Sequence, residues 1–137
     1  MVTLKYLLDS DWAIYYLRGK EPFVKAIDKY RHEGIAISKV SIAELYEGVF
    51  WSPKPEEKEI ILIDFLEGFT AINLSRPIAR LFGKKRAELR GKGLTVNNLD
   101  LLIACTAEYH QLTILTNNTK HFEKVPGIGK IISIKEL

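Results

Sequence analysis

The sequence predicts an α/β fold: a central, mainly parallel sheet of four to five strands with helices on both faces. Short apolar runs alternate with longer helical segments, the pattern of βαβ units. These runs are Leu4-Lys5-Tyr6-Leu7-Leu8, Ile35-Ala36-Ile37-Ser38-Lys39-Val40 and Leu112-Thr113-Ile114-Leu115. Right-handed crossovers then place helices on both sides of the sheet. A polar group also follows each run: Asp9 the first, Glu44 the second and Thr116-Asn117-Asn118 the third, while Asp100 opens the apolar stretch Leu101-Leu102-Ile103-Ala104-Cys105-Thr106-Ala107. If the runs are parallel strands, these groups collect at the carboxyl edge of one sheet, where open α/β folds bind ligands.

In chain order, strands are expected near 4–9, 35–40, 70–74, 112–116 and 130–134, and helices near 11–18, 22–32, 41–51, 55–67, 76–90, 98–110 and 119–124. Gly19 and Gly34 end helices, and Pro22 and Pro55 suit first helical turns. Trp51-Ser52-Pro53-Lys54-Pro55 reads as a tight link between two helices, and Gly91 and Gly93 bracket a loop before the Asp100 helix. There is no internal repeat, low-complexity segment or linker-like shift in composition, so 1–137 is expected to form a single domain.

The chain has 137 residues, 47% apolar and 27% charged, the composition of a globular protein with a substantial core. No apolar run approaches the roughly 20 residues of a membrane span, so no membrane partner is expected. The opening Met1-Val2-Thr3-Leu4-Lys5 reads as a strand and lacks a signal peptide's basic-then-apolar order; the expected location is the cytoplasm. Cys105 is the only cysteine and, inside an apolar helix, reads as a buried, inert thiol.

A net charge of +3 does not by itself imply nucleic-acid binding. Its distribution says more: between positions 80 and 92, Arg80, Lys84, Lys85, Arg86, Arg90 and Lys92 face only Glu88. Lys84, Lys85, Arg86, Arg90 and Lys92 are therefore candidates for holding phosphates by charge, beside the plainer reading of a solvated helix face. His110 and His121 show no metal-ligand spacing and read as surface residues, and Gly91-Lys92-Gly93 lacks the spacing of a phosphate loop. Trp12, Tyr15 and Tyr16 follow helical spacing and read as core, while Tyr46, Phe50 and Trp51 read as packing or as a partner surface.

Judged singly, each acid has a structural explanation. Asp9 can cap the next helix, Ser41-Ile42-Ala43-Glu44 is a capping-box sequence with Ser41 at the N-cap, and Asp100 suits a first turn. Together they exceed what caps need. Converging carboxylates repel one another unless a cation lies between them, and hard oxygen donors suit Mg²⁺ or Mn²⁺.

At these residues the sequence resembles a known family along its whole length. Tyr6-Leu7-Leu8-Asp9-Ser10-Asp11 resembles an opening strand with its Asp-Ser/Thr-Asn motif, and Ser41-Ile42-Ala43-Glu44-Leu45-Tyr46-Glu47-Gly48 a Thr/Ser-x-x-Glu-Leu-x-x-Gly motif. Asp100 to Ala107 resembles an Asp-x-x-Ile-Ala-x-x-Ala helix, and Thr116-Asn117-Asn118-Thr119-Lys120-His121-Phe122 the family's Thr-x-Asn/Asp close. The resemblance is to the PIN domain, in the short form of VapC toxins. It implies a three-layer α/β/α sandwich, Mg²⁺-dependent (or Mn²⁺-dependent) endoribonuclease activity on RNA, a homodimer and a small VapB-type antitoxin partner. Asp9, Glu44 and Asp100 match its acidic residues, with Asp9 and Asp100 as metal ligands and Asn118 completing the catalytic set. Asp11 stands where Asn or Ser is commoner, and Asn118 where many members have Asp. A neutral amide oxygen would hold a second ion less tightly, with Asp11 the candidate to bind it. Thr116 would fix the ligand shell or the scissile phosphate. Two other readings are a PIN nuclease of RNA maturation or decay, and a PIN module that binds RNA or a partner without cutting.

Overall fold

Period-two alternation in the strands separates two cores. In the computed structural model, which describes residues 3–137, β1 (Tyr6–Leu8), β2 (Ile35–Ser38), β3 (Thr70–Ile72), β4 (Thr113–Leu115) and β5 (Ile131–Ile132) form one sheet in the order β3-β2-β1-β4-β5. Every neighbouring pair is parallel. Leu7 is in register with Ala36 and Ile114, and these three share one core with Ile72. Leu8, one residue on, is in register with Ile37 and Leu115 and lies in the second core with Ile35 and Ile132. Both faces are thus apolar, as a parallel sheet covered on both sides requires.

The helices are α1 (Ser10–Leu17), α2 (Glu21–Arg31), α3 (Lys39–Trp51), α4 (Pro55–Leu66), α5 (Arg76–Gly91), α6 (Asn98–His110) and α7 (Thr119–Glu123), followed by a 3₁₀ turn at Ile134–Glu136. Leu89 of α5, Leu101, Ile103 and Ala104 of α6 and Phe122 of α7 fill the first core. Trp12 of α1, Ile27 of α2, Leu45 of α3 and Phe65 of α4 fill the second. This is the expected three-layer α/β/α sandwich.

The chain leaves central β1 toward β2 and β3, then returns to place β4 and β5 on β1's other side. The carboxyl ends of β1 and β4 therefore flank the point where strand order reverses, the place where such sheets open a ligand crevice. Asp9 follows β1 directly and Thr116 follows β4.

The strands are shorter than expected: β1 starts at Tyr6 rather than near 4, and β3 stops at Ile72, with three residues left before α5 begins. The strand reading of Met1-Val2 lies outside the described residues. The capping box is corrected. Ser38 is the N-cap of α3, its Oγ accepting from the Val40 amide at 3.1 Å. Ser41 lies inside the helix on the buried stripe Ser41, Leu45, Val49, so Glu44 stands a turn further in than N3. Gly34 enters β2 with φ +103°, and a Cβ there would strike the Thr3 carbonyl oxygen, so only glycine fits this close approach. No helix among the described residues is long and apolar enough to cross a membrane.

Candidate active site

The hydroxyl of Thr116 sits between two acids at the sheet's carboxyl edge. It donates to Asp9 Oδ2 at 2.8 Å and lies 3.4 Å from both carboxylate oxygens of Asp11. A hydroxyl has one hydrogen, so the short contact to Asp9 takes it. Asp9 caps α1 with extended backbone, and its Oδ1 accepts from the Ser10 amide at 2.8 Å. The side-chain hydroxyl of Ser10 donates to Glu44 Oε1 at 3.2 Å, which ties α3 to the end of β1. Asp11 accepts from the amides of Trp12 (2.8 Å) and Asn117 (2.9 Å). Asp100 enters from the first turn of α6, which Asn97 caps by accepting from the Leu99 amide.

These acids sense one another. Asp9 is 2% exposed. Its burial, then the charges of Asp11 and Asp100, push its carboxyl up to about 7 against the pull of the Thr116 and Ser10 hydrogen bonds. Burial raises Asp11 as well, with a contribution from Asp100. Glu44 is raised by burial first and then by Asp100, Glu47 and Asp11. Burial leads at each of the three and neighbouring carboxylates add to it, a repulsion that a cation would neutralise.

Among the described residues, no three His, Cys, Asp or Glu side chains form a ready-made metal centre. The donor chemistry nonetheless fits Mg²⁺, which is commonly bound by one or two carboxylates and keeps several waters, with substrate phosphates joining later. Asn118 contributes its amide, donating to Thr116 Oγ1 at 3.0 Å, while its exposed side chain makes no cap bond to α7.

The basic segment divides. Lys85 does not belong to an RNA-facing patch: it is 7% exposed, pairs with Glu108 Oε1 at 2.9 Å and donates to the Pro126 carbonyl. Its position on the stripe of Ile78 and Leu89 turns it into the core. Arg86 is engaged too, donating to the Val96 carbonyl at 2.8 Å and Asn98 Oδ1 at 2.6 Å, where it braces the start of α6. Lys84, Arg90 and Lys92 are exposed, Lys92 lying 3.7 Å from Glu88.

Three contacts escape the sequence reading. Ser10 links the first two acids. Asn117 Oδ1 accepts from Trp12 Nε1 and the Ile134 amide, both at 3.0 Å, and so fastens α1 and the chain's end to the strand that carries Thr116. His121 is exposed, as expected, but its Nδ1 lies 3.1 Å from Asp100 Oδ2. Cys105 is fully buried and its thiol is pushed up to about 11 by that burial, so it is inert as expected.

The chain is 35% identical to a Rickettsia felis protein named Ribonuclease VapC2, over 90% of this chain and 93% of the relative. It is 30% identical to a Salmonella typhimurium protein named tRNA(fMet)-specific endonuclease VapC, over 91% and 95% of the two chains. The crystal structure of VapBC2 from Rickettsia felis bound to a promoter DNA fragment superposes with a TM-score of 0.87 at 31% identity, covering 95% of this chain and 98% of the other. The DNA-bound VapBC structure from Salmonella typhimurium gives 0.88 at 30% identity, with 96% and 98% covered. The PIN domain family model matches residues 6–128. With its acids gathered where the strand order reverses, the chain belongs to the PIN-domain family.

Proposed function

We propose that this protein is a divalent-metal-dependent endoribonuclease that hydrolyses RNA phosphodiesters, and the toxin of a VapBC-type pair. The observation that carries the reading is the set of acids at one sheet edge, where burial first, and then the charge of Asp100, raises the proton affinity of Asp9, Asp11 and Glu44. The names of the similar proteins support ribonuclease chemistry and a toxin–antitoxin setting.

Asp9 and Asp100 would hold Mg²⁺ or Mn²⁺. When bound, the ion supplies Lewis acidity that activates a water and neutralises charge developing on the phosphate. Glu44, with its raised proton affinity, is suited to accept the water's proton or to bind the ion through water. Thr116 keeps Asp9 oriented, Asn118 supports the ligand shell or the phosphate, and Asp11 is the residue for any second, weaker ion. Lys84, Arg90 and Lys92 are the remaining candidates for gripping the RNA backbone, which positions substrate without reading its sequence.

The partner reading has its own support. A groove of about 290 Å³ is lined by Ile14, Leu17, Leu45, Val49 and Ile61, with Glu44, Arg18 and Lys58 also in its wall. Beyond it Phe50 (62% exposed) and Trp51 (90%) stand out from α3. These surfaces suit an antitoxin segment lying across the active-site cleft, together with a homodimer, since aromatic residues dominate interface hot spots.

The test is purified protein with total RNA in Mg²⁺, followed by mapping of the new 5′ ends. Discrete cleavage sites are expected, abolished by EDTA and restored by Mn²⁺. Cleavage undiminished in EDTA refutes the metal reading, and RNA bound but uncut in Mg²⁺ favours the non-cleaving module.

A further inference from the structure

The four carboxylates differ in how they are held. Asp9 accepts from the Ser10 amide and the Thr116 hydroxyl, and Asp11 from two backbone amides. Among the described residues, Asp100 accepts from one group only, the Nδ1 of His121 at 3.1 Å. A carboxylate has no hydrogen to give, so Nδ1 carries it. The pair joins residues 21 positions apart and links α6 to α7.

His121 is partly open to solvent, its side chain 57% exposed, yet the helix beneath it is anchored at three points. Phe122, the next residue, is fully buried in the first core. The Asn118 amide at the start of α7 is tied to Thr116. Just past the end of α7, Lys85 grips the Pro126 carbonyl, and a Cβ on Gly127 would come within 2.8 Å of Lys85 Nζ. The ring is therefore carried on a fixed element and can impose a direction on Asp100, whose side chain is 18% exposed.

We infer that His121 is the positioning residue for Asp100: its Nδ1 holds Oδ2, leaves Oδ1 free, and so sets the affinity of the acidic site for a divalent ion. Partners that orient a metal-binding carboxylate change metal affinity or activity by about 10–100-fold when removed. The inference rests on the metal-dependent reading above and adds the residue that aims one of its ligands.

Calorimetric titration of Mn²⁺ alone into wild type, His121→Phe, His121→Asn and His121→Gln tests it, with melting temperatures taken in EDTA as a check on folding. His121→Phe keeps a flat ring but no donor, and Mn²⁺ affinity is expected to fall about tenfold or more. His121→Asn places an amide hydrogen where Nδ1 stood, and is expected to bind within about threefold of wild type. His121→Gln moves that hydrogen outward to the Nε2 position and should resemble Phe. If Phe lowers the EDTA melting temperature, the Asn and Gln pair decides by itself. Equal affinity in wild type and His121→Phe, or in Asn and Gln, overturns the positioning role while the metal reading stands. A wild-type protein that takes up no Mn²⁺ overturns both.

Discussion

Asp9→Asn is expected to abolish RNA cleavage and, in the same molecule, to raise the melting temperature of the metal-free protein. A metal's stabilisation of transition-state charge is worth several kcal/mol, so losing a principal ligand should cost on the order of a thousandfold in rate or more. The stability gain has a different origin. Asp9 is buried and its carboxyl is raised from an ordinary 3.8 to about 7. The folded state therefore binds a proton more tightly than the unfolded state. The associated stabilisation is complete below about pH 4 and is lost as pH rises through about 7. At roughly 1.36 kcal/mol per unit the loss reaches up to about 4 kcal/mol. Asp11 and Glu44, also raised, act in the same direction.

The amide of Asn carries no charge at any of these pH values and fills the same space. In EDTA at pH 8 the variant should melt about 3–8 °C higher, a gain of about 1–2 kcal/mol in a domain of this size. Between pH 5 and pH 8 its melting temperature should fall less than that of wild type. Asp100→Asn should likewise remove cleavage. Thermal melts in EDTA across this pH range, paired with cleavage assays, check both halves. A variant that cuts at the wild-type rate would reduce Asp9 to a helix cap.

The second large effect is expected at Lys85, with its neighbour as the control. Truncation by Lys85→Ala leaves Glu108, whose side chain is 31% exposed, and the Pro126 carbonyl without their partner. Breaking a buried pair by removing one member costs about 3–5 kcal/mol; the partial exposure of Glu108 brings the expected loss to about 2–4 kcal/mol. Lys84→Glu is exposed and should change stability by about 0.5 kcal/mol or less. It should instead flatten the salt dependence of RNA binding, by about 0.7 in log–log slope for each phosphate that Lys84 neutralises in the wild type. Urea unfolding and RNA titrations at several salt concentrations separate the two residues. Equal stability losses at Lys84 and Lys85 would contradict the assignment, and an unchanged slope for Lys84→Glu would return that residue to the solvated helix face.

Lys84 and Lys85 also show what a sequence can and cannot disclose. Counting basic residues along a helix cannot separate the side chain that meets solvent from the one that meets the core. Helical phase can, since Lys85 falls seven residues after Ile78 and four before Leu89, both fully buried. The start of helix Asn98–His110 is legible because an Asn cap precedes it; its other end lies at Gln111, in left-handed backbone at φ 56°, where no glycine marks the stop. The start of α3 is ambiguous in sequence because Ser38 and Ser41 both suit a cap, and only the strand's hydrogen bonding decides that Ser38 comes first. The acids are visible because strand-to-helix junctions concentrate at one sheet edge whatever the detailed packing. The contacts of Ser10, Asn117 and His121 are not, since each is made with a partner far away in sequence.

The acids at the strand-order reversal are expected to hold a divalent ion. The most direct measurement is anomalous diffraction from crystals soaked in millimolar Mn²⁺. The expected result is one well-occupied peak at coordination distance from Asp9 and Asp100, with any second peak beside Asp11 weak, because the neutral Asn118 adds no charge to the site. Two full-occupancy peaks would show that Asp11 makes up for Asn118. Manganese bound only elsewhere, with Asp9 and Asp100 bare, would contradict the account.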